Sequence, residues 1–276
     1  MARSGGASYA GRMETPSPAS LADWRAAAAG SAGATTAVHV DGDHAVMVHR
    51  WARPGAPTVV LVHGIGMGQQ YFGLLRAELS HRFDVVALDL PGFGPSPEPA
   101  ASLPMAALAD LVADALVALA PVPCIAVGHS MGAQVVAELA VRHPELVDRA
   151  VLIGPTVNPA ERSGWKQALR LLQDLANDPP IVALIGARLY LQAGPRWYLR
   201  KLRTMLEHDI RPLLPRIAQP TLVIRGDEDR VAPAAWVEQV AAALPDGRLR
   251  IAHGKGHEAM ITGAEPVARM IREFAA

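Results

Sequence analysis

Along the chain, short apolar runs alternate with longer segments in which apolar residues recur every three or four positions. Thr58–Val62, Val85–Leu90, Cys124–Val127, Ala150–Ile153, Thr221–Ile224 and Arg248–Ala252 are β-rich runs, most of them apolar throughout. A run that is apolar on both faces has no solvent side, so it predicts a strand buried in a parallel sheet. Between several of these lie helical patterns at Gln69–Ser80, Met105–Leu119, Met131–Arg142, Ala234–Leu244 and Pro266–Phe274. In the second of them, Leu108, Leu111, Val112, Ala115 and Leu119 form one buried stripe opposite Asp110 and Asp114. Strand followed by helix, repeated, predicts right-handed crossovers and a sheet covered on both sides. Ahead of this series, Thr36–Val40 and Ala45–Trp51 flank Asp41-Gly42-Asp43, a hairpin signal. The expected fold is α/β: a mostly parallel, eight-stranded twisted sheet with helices on both faces.

The alternation fails between Gly154 and Gln219. No β-rich run occurs there, and helical patterns follow one another: Trp165, Leu169 and Leu172, then Ile181–Tyr190, then Trp197–Leu206, separated by Pro179-Pro180 and Gly194-Pro195. Residues 154–219 therefore read as a helical insertion after the sixth strand. Such an insertion would cover the carboxyl ends of the strands, where open α/β sheets place their ligands. The core then comprises 36–153 and 220–276, and residues 1–35 read as a flexible leader with one short helix at Leu21–Ala29.

Composition narrows the function classes. The 276 residues are 50% hydrophobic and 19% charged, which excludes wholesale disorder. Lys plus Arg and Asp plus Glu number 26 each, so the cationic surplus that nucleic-acid binding needs is missing. That balance hides an asymmetry: residues 154–219 hold ten basic and five acidic side chains, which leaves 16 against 21 elsewhere. A basic insertion over an acidic core favours docking between the two. The longest apolar stretch, Leu108–Val127, is broken by Asp110, Asp114, Pro121 and Pro123, so no transmembrane segment is expected. A single cysteine cannot form an internal disulfide, and the start of the chain lacks the apolar centre of a secretory signal. A cytoplasmic monomer or homodimer is the expectation.

The chemistry centres on Gly128-His129-Ser130-Met131-Gly132, directly after one predicted strand and directly before a helix. A serine hydroxyl is a weak nucleophile and must be held out of its surroundings beside a base and backbone donors. A sharp strand-to-helix turn does this, and small residues two before and two after let neighbouring backbones approach. His63-Gly64-Ile65-Gly66 ends another strand and offers a flexible loop. An acyl-transfer oxyanion needs two pre-aimed N–H donors. The candidates are the backbone N–H groups of Met131, at the head of its helix, and Ile65, with Gly66 as a fallback. His63 itself is expected to hydrogen-bond the loop backbone. An acid and a base follow in chain order. Asp229 is preferred to Asp227 by its place in the loop after Thr221–Ile224, and His257 is preferred to His253 because Gly256 permits a turn before it. His257 would accept the Ser130 proton, and Asp229 would hold the imidazole tautomer. His39, His44 and His49 lack the supporting ligands of a metal site, and no dinucleotide or phosphate loop is present, so neither metal nor cofactor is expected. Cys124, inside a buried strand, reads as core.

Taken together these features resemble the α/β-hydrolase fold family, from about Ala37 to the C-terminus. The resemblance extends to Asp89-Leu90-Pro91-Gly92-Phe93-Gly94-Pro95-Ser96, similar to the D-x-x-G-x-G-x-S stretch of lid-bearing members. It implies that 154–219 is a lid and that Ser130, His257 and Asp229 form a triad acting on a small hydrophobic acyl substrate such as an ester, lactone or thioester. Epoxide hydrolases and haloalkane dehalogenases of this fold carry aspartate where this chain has Ser130. C–C bond hydrolases or cyclases, and ligand-binding members without turnover, share the fold and stay open as alternatives.

Overall fold

The computed structural model describes residues 33–159 and 194–276. The leader helix Leu21–Ala29 and the insertion segments around Trp165–Leu172 and Ile181–Tyr190 lie outside the described residues. Eight strands form one sheet: β1 (Thr35–Asp41), β2 (His44–Trp51), β3 (Thr58–Val62), β4 (Asp84–Asp89), β5 (Cys124–His129), β6 (Val147–Ile153), β7 (Thr221–Gly226) and β8 (Gly247–Ala252), in the order β1-β2-β4-β3-β5-β6-β7-β8. The pairs β1·β2 and β2·β4 are antiparallel and all the others parallel.

The two-faced apolar runs do what their pattern requires. Along β3, Val60 and Val62 enter one core with Val86, Leu88, Ala126, Leu152 and Val223, while Val59 and Leu61 enter the other with Val85, Ala87, Ile125, Val127 and Ile224. The described α-helices are α1 (Gly73–Ser80), α2 (Met105–Leu119), α3 (Met131–Arg142), α4 (Pro195–Glu207), α5 (Ala234–Ala243), α6 (Ala259–Thr262) and α7 (Ala264–Ala275). The first core is closed by α2, α3 and α5, and the second by α1, α6 and α7. Cys124 is buried in the first core, where burial pushes its thiol up to about 12 and leaves it inert.

Two boundaries differ informatively from the periodicity. The helix expected at Gln69–Ser80 opens as a 3₁₀ turn at Gln69–Phe72 before α1. The Gln69 N–H is drawn to Asp89 Oδ1 at 2.7 Å and the Tyr71 N–H to Gly68 O at 3.0 Å, which tightens the first turn. The strand expected at Cys124–Val127 continues through His129, because Gly128 and His129 still pair with Leu152 and Ile153.

The Asp89 stretch ties the ends of the strands together. Asp89 is fully buried: Oδ1 accepts from Gln69 N–H, Oδ2 lies 2.8 Å from His49 Nε2, and its backbone carbonyl accepts from Ser96 Oγ at 2.7 Å. Gly68 and Gly94 are pressed against this carboxylate so closely that a Cβ on either would meet it. Helix α4 lies on the same loops. Trp197, Lys201 and Met205, four residues apart, are its buried face, and Trp197 fills the space that a side chain at Gly92 would need. The Lys201 ammonium donates to Leu103 O at 3.0 Å, and burial lowers its pKa to about 8. Arg200 donates to Ala100 O at 3.0 Å, while Arg203 pairs within the helix with Glu207 at 2.8 Å. The basic charge of this helix thus serves docking at Arg200 and Lys201. Among the described residues, no helix is long and apolar enough to cross a membrane.

Replacing Asp89 by alanine strips partners from Gln69 N–H and His49. Unfolding free energy should fall by about 2–4 kcal/mol in a urea titration, and a loss below about 0.5 kcal/mol would mean that other contacts hold these loops.

Candidate active site

Ser130 stands between β5 and α3 with φ 54° and ψ −115°, a left-handed conformation rare for a residue with a side chain. The glycines beside it explain how the turn closes. A Cβ on Gly128 would run into the Gly132 carbonyl, and a Cβ on Gly132 into the carbonyl of Val62 at the end of β3. The Ser130 N–H donates to Ile153 O at 2.9 Å, and its carbonyl accepts from Ala133 N–H at 3.0 Å. The hydroxyl is therefore presented by backbone alone, buried at 6% exposure and 3.5 Å from the Thr156 hydroxyl.

The loop after β3 runs alongside. A Cβ placed on Gly64 would lie 3.3 Å from Ser130 Cβ, which brings Ile65 beside the serine. Among the described residues, neither the Ile65 N–H nor the Met131 N–H is taken up in a loop or capping hydrogen bond, and Met131 opens α3, where the helix dipole favours negative charge. His63 holds the loop as the sequence suggests. Its Nδ1–H donates to Gly64 O at 2.7 Å, and Nε2 accepts from Leu90 N–H at 3.0 Å. Burial lowers its pKa, which keeps the ring neutral for this double role.

The acid and base come from the loops after β7 and β8. His257 Nδ1 lies 2.9 Å from Asp229 Oδ2, with both side chains buried. Asp229 Oδ1 accepts from the N–H groups of Val231 and Ala232, each at 2.8 Å, so the carboxylate is aimed by three donors. The alternatives Asp227 and His253 pair with each other instead, at 3.1 Å on the surface. Burial opposes the charge of Asp227, but hydrogen bonds from His253, Lys255 and Gly254 outweigh it and hold the carboxyl below its ordinary pKa. The end of β6 packs on the buried pair, since a Cβ on Gly154 would lie 3.0 Å from the His257 ring and 3.1 Å from Asp229 Oδ2.

The structure thus sets Ile65, Ser130 with Met131, Asp229 and His257 after the carboxyl ends of β3, β5, β7 and β8 of one sheet. His39, His44 and His49 do not converge, and no cluster of metal-ligating side chains occurs among the described residues. The sequence model of the alpha/beta hydrolase family matches residues 59–272. The chain belongs to the alpha/beta hydrolase family. Among its relatives, "Putative carbamate hydrolase RutD" of Serratia proteamaculans is 29% identical over 249 residues, covering 79% of this chain and 90% of that protein. Pimeloyl-acyl-carrier-protein methyl ester esterase of Chromobacterium violaceum is 28% identical over 243 residues, covering 79% and 93%. A solved membrane phospholipase A, described as a bacterial virulence factor, superposes with a TM-score of 0.77 at 27% identity, over 92% of this chain and 90% of that one. The protein is a hydrolase of this family.

Three residues of the alpha/beta hydrolase site escaped the sequence. Arg225, on β7, donates to the carbonyls of Asp229 at 2.7 Å, Ala232 at 2.9 Å and Asp227 at 3.1 Å, so one buried guanidinium folds the whole acid loop. His129 and Glu258, each chain-adjacent to a candidate residue, are buried behind His257. Among the described residues the ion-pair partner within reach of Glu258 is His129, 4.0 Å away and itself held neutral by burial, and burial pushes the Glu258 carboxyl up to about 8. The folded chain therefore keeps a proton that the unfolded chain has released between the ordinary carboxyl pKa and about 8, so stability declines as pH rises through that window, by up to about 1.4 kcal/mol per pH unit. Glu258→Gln abolishes this titration. Its melting temperature relative to the parent should climb from pH 5 to pH 8, and a pH-independent difference would show that Glu258 is already ionised in the folded protein.

Proposed function

We propose that this protein hydrolyses a carboxylic ester or related acyl compound through Ser130, His257 and Asp229. The observation that carries the reading is the buried Asp229–His257 pair, 2.9 Å apart, with the His257 carbonyl 3.2 Å from Nε2 of His129, the residue before a left-handed serine at the head of a helix. His257 takes the Ser130 proton as the oxygen attacks the acyl carbon. Asp229 holds the proton on Nδ1 and stabilises the imidazolium that forms. The tetrahedral oxyanion rests on the N–H groups of Ile65 and Met131, in a site where fixed dipoles act with little solvent screening. The imidazolium then protonates the leaving group, and a water deprotonated by His257 releases the acid from the acyl-enzyme.

Residues 154–219 are proposed as the lid over this chemistry. Helix α4 supports that role, because the Tyr198 ring lies against Gly66 in the loop that carries Ile65. The substrate class is supported by the relatives' names: an ester in one and a carbamate in the other both present a carbonyl whose attack yields the same oxyanion. No observation favours C–C bond cleavage or binding without turnover.

A fluorophosphonate probe should modify Ser130 and nothing else, mapped by peptide mass, and Ser130→Ala should lose both labelling and turnover of a nitrophenyl ester. Asp229→Asn should lower kcat by about 10⁴-fold through the wrong imidazole tautomer, whereas Asp227→Asn should stay within about threefold of the parent. Full ester hydrolysis by Ser130→Ala, or equal losses in the two aspartate variants, would refute the triad.

A further inference from the structure

The wall behind His257 is built from polar side chains that the hydrolytic scheme leaves unused. His129 is one peptide bond from Ser130 and 2% exposed. Its Nε2 lies 3.2 Å from the backbone carbonyl of His257, and the two rings are 4.7 Å apart between centroids. Tyr71 stacks on the same ring at 5.9 Å. A carbonyl oxygen only accepts, so Nε2 carries the proton and Nδ1 is the lone-pair nitrogen. That Nδ1 faces Gly64 and is buried, with no hydrogen-bond partner among the described residues. Glu258 reaches in beside it, with Oε2 4.0 Å from Nε2.

The base needs such an anchor. Asp229 fixes the Nδ1 end of the His257 ring but not the backbone that carries it. That backbone belongs to an irregular segment between β8 and α6, where Gly254 takes a left-handed φ of 66°. Earlier in that segment the N–H groups of Gly254 and Lys255 donate to Asp227 Oδ1 at 2.6 and 3.3 Å, which holds the turn but not the peptide carbonyl of His257 itself. The His129 hydrogen bond holds that carbonyl, and it comes from the residue whose own backbone leads into Ser130. Burial holds the His129 pKa well below the ordinary imidazole value, with repulsion from His257 adding to it. A neutral ring can donate this bond without opposing the imidazolium formed next to it during turnover.

We propose that His129 is a positioning residue for His257: its Nε2–H···O=C bond sets the distance between the base and the neighbouring Ser130. The proposal rests on the hydrolytic reading above, and its test separates the two. His129→Gln keeps a donor at the reach of Nε2, and His129→Met keeps the length without the donor. Competent sites are counted by fluorophosphonate titration, and kcat and KM for a nitrophenyl ester are expressed per titrated site. His129→Met should lose about 10- to 100-fold in kcat with KM within about twofold, and His129→Gln should recover to within about fivefold of the parent. A side chain that merely fills space would change the titrated fraction or the melting temperature but not kcat per site, and that result, or equal losses in both variants, overturns the proposal. Should neither variant fold, ¹⁵N-imidazole NMR of the parent protein decides: His129 must stay a neutral Nε2–H tautomer from pH 5 to 9, and an Nδ1–H or doubly protonated ring overturns it. Ser130→Ala and His257→Ala serve as controls. If they remain active, the hydrolytic reading falls and takes this proposal with it; if they are dead while His129→Met is unaffected, only the positioning role fails.

Discussion

The backbone of Ser130 is the constraint around which the rest is arranged. Its φ of 54° and ψ of −115° cost on the order of 1–3 kcal/mol for a residue with a Cβ. Only an over-determined surrounding keeps it there. Gly132 resting on the Val62 carbonyl is one part of that surrounding, and it requires β3 and β5 to be immediate parallel neighbours, as the register Val62↔Gly128 makes them. The loop that follows β3 must then pass beside the serine. The site is thus a consequence of strand order, with glycines at the points where backbones touch. Gly226 repeats the device, since a Cβ there would enter the carbonyls of Lys255 and Gly256 and part the acid loop from the base loop.

Three aspartates in this protein share one pattern of satisfaction. Asp89, Asp229 and Asp227 each give one carboxylate oxygen to backbone N–H groups and the other to a histidine. Burial of a carboxylate is tolerable only with such a full set of donors. The same local arrangement serves three purposes. Asp89 joins β2 to the loop after β3, Asp227 fastens the turn after β8 at the surface, and the histidine of Asp229 is tied through its backbone carbonyl to His129, the neighbour of Ser130. An Asp–His pair is therefore no evidence of chemistry in itself; its neighbours decide.

This accounts for what the residues disclosed in one dimension and what they withheld. The parallel sheet was legible because its central strands are apolar on both faces, and the elbow was legible because glycine spacing and a strand-to-helix transition coincide around Ser130. Asp229 and His257 could be placed by their loops after β7 and β8. Arg225 could not: a cation in an acidic run reads as solvated, and nothing local announces that it binds three carbonyls. His129 and Glu258 were hidden for a related reason, since their partners lie in other loops and no periodicity connects them. Helix α6, at four residues, is too short for any helical repeat to register. The basic excess of residues 154–219 pointed to docking, but not to Lys201 as its buried contact, as a lysine on an amphipathic helix is normally a surface residue.

The His129–His257 hydrogen bond joins positions 128 apart in the chain. Contacts of that span close late, because the entropy of a long loop must be overcome before they form. A chain leaving the ribosome N-terminus first completes β3, β5 and the elbow while β7 and β8 are still unmade. In that interval the proposed nucleophile exists without its base. On the proposed mechanism the centre is complete only when the last strand and helix dock, and an unfinished or truncated polypeptide would carry Ser130 without the base proposed for it.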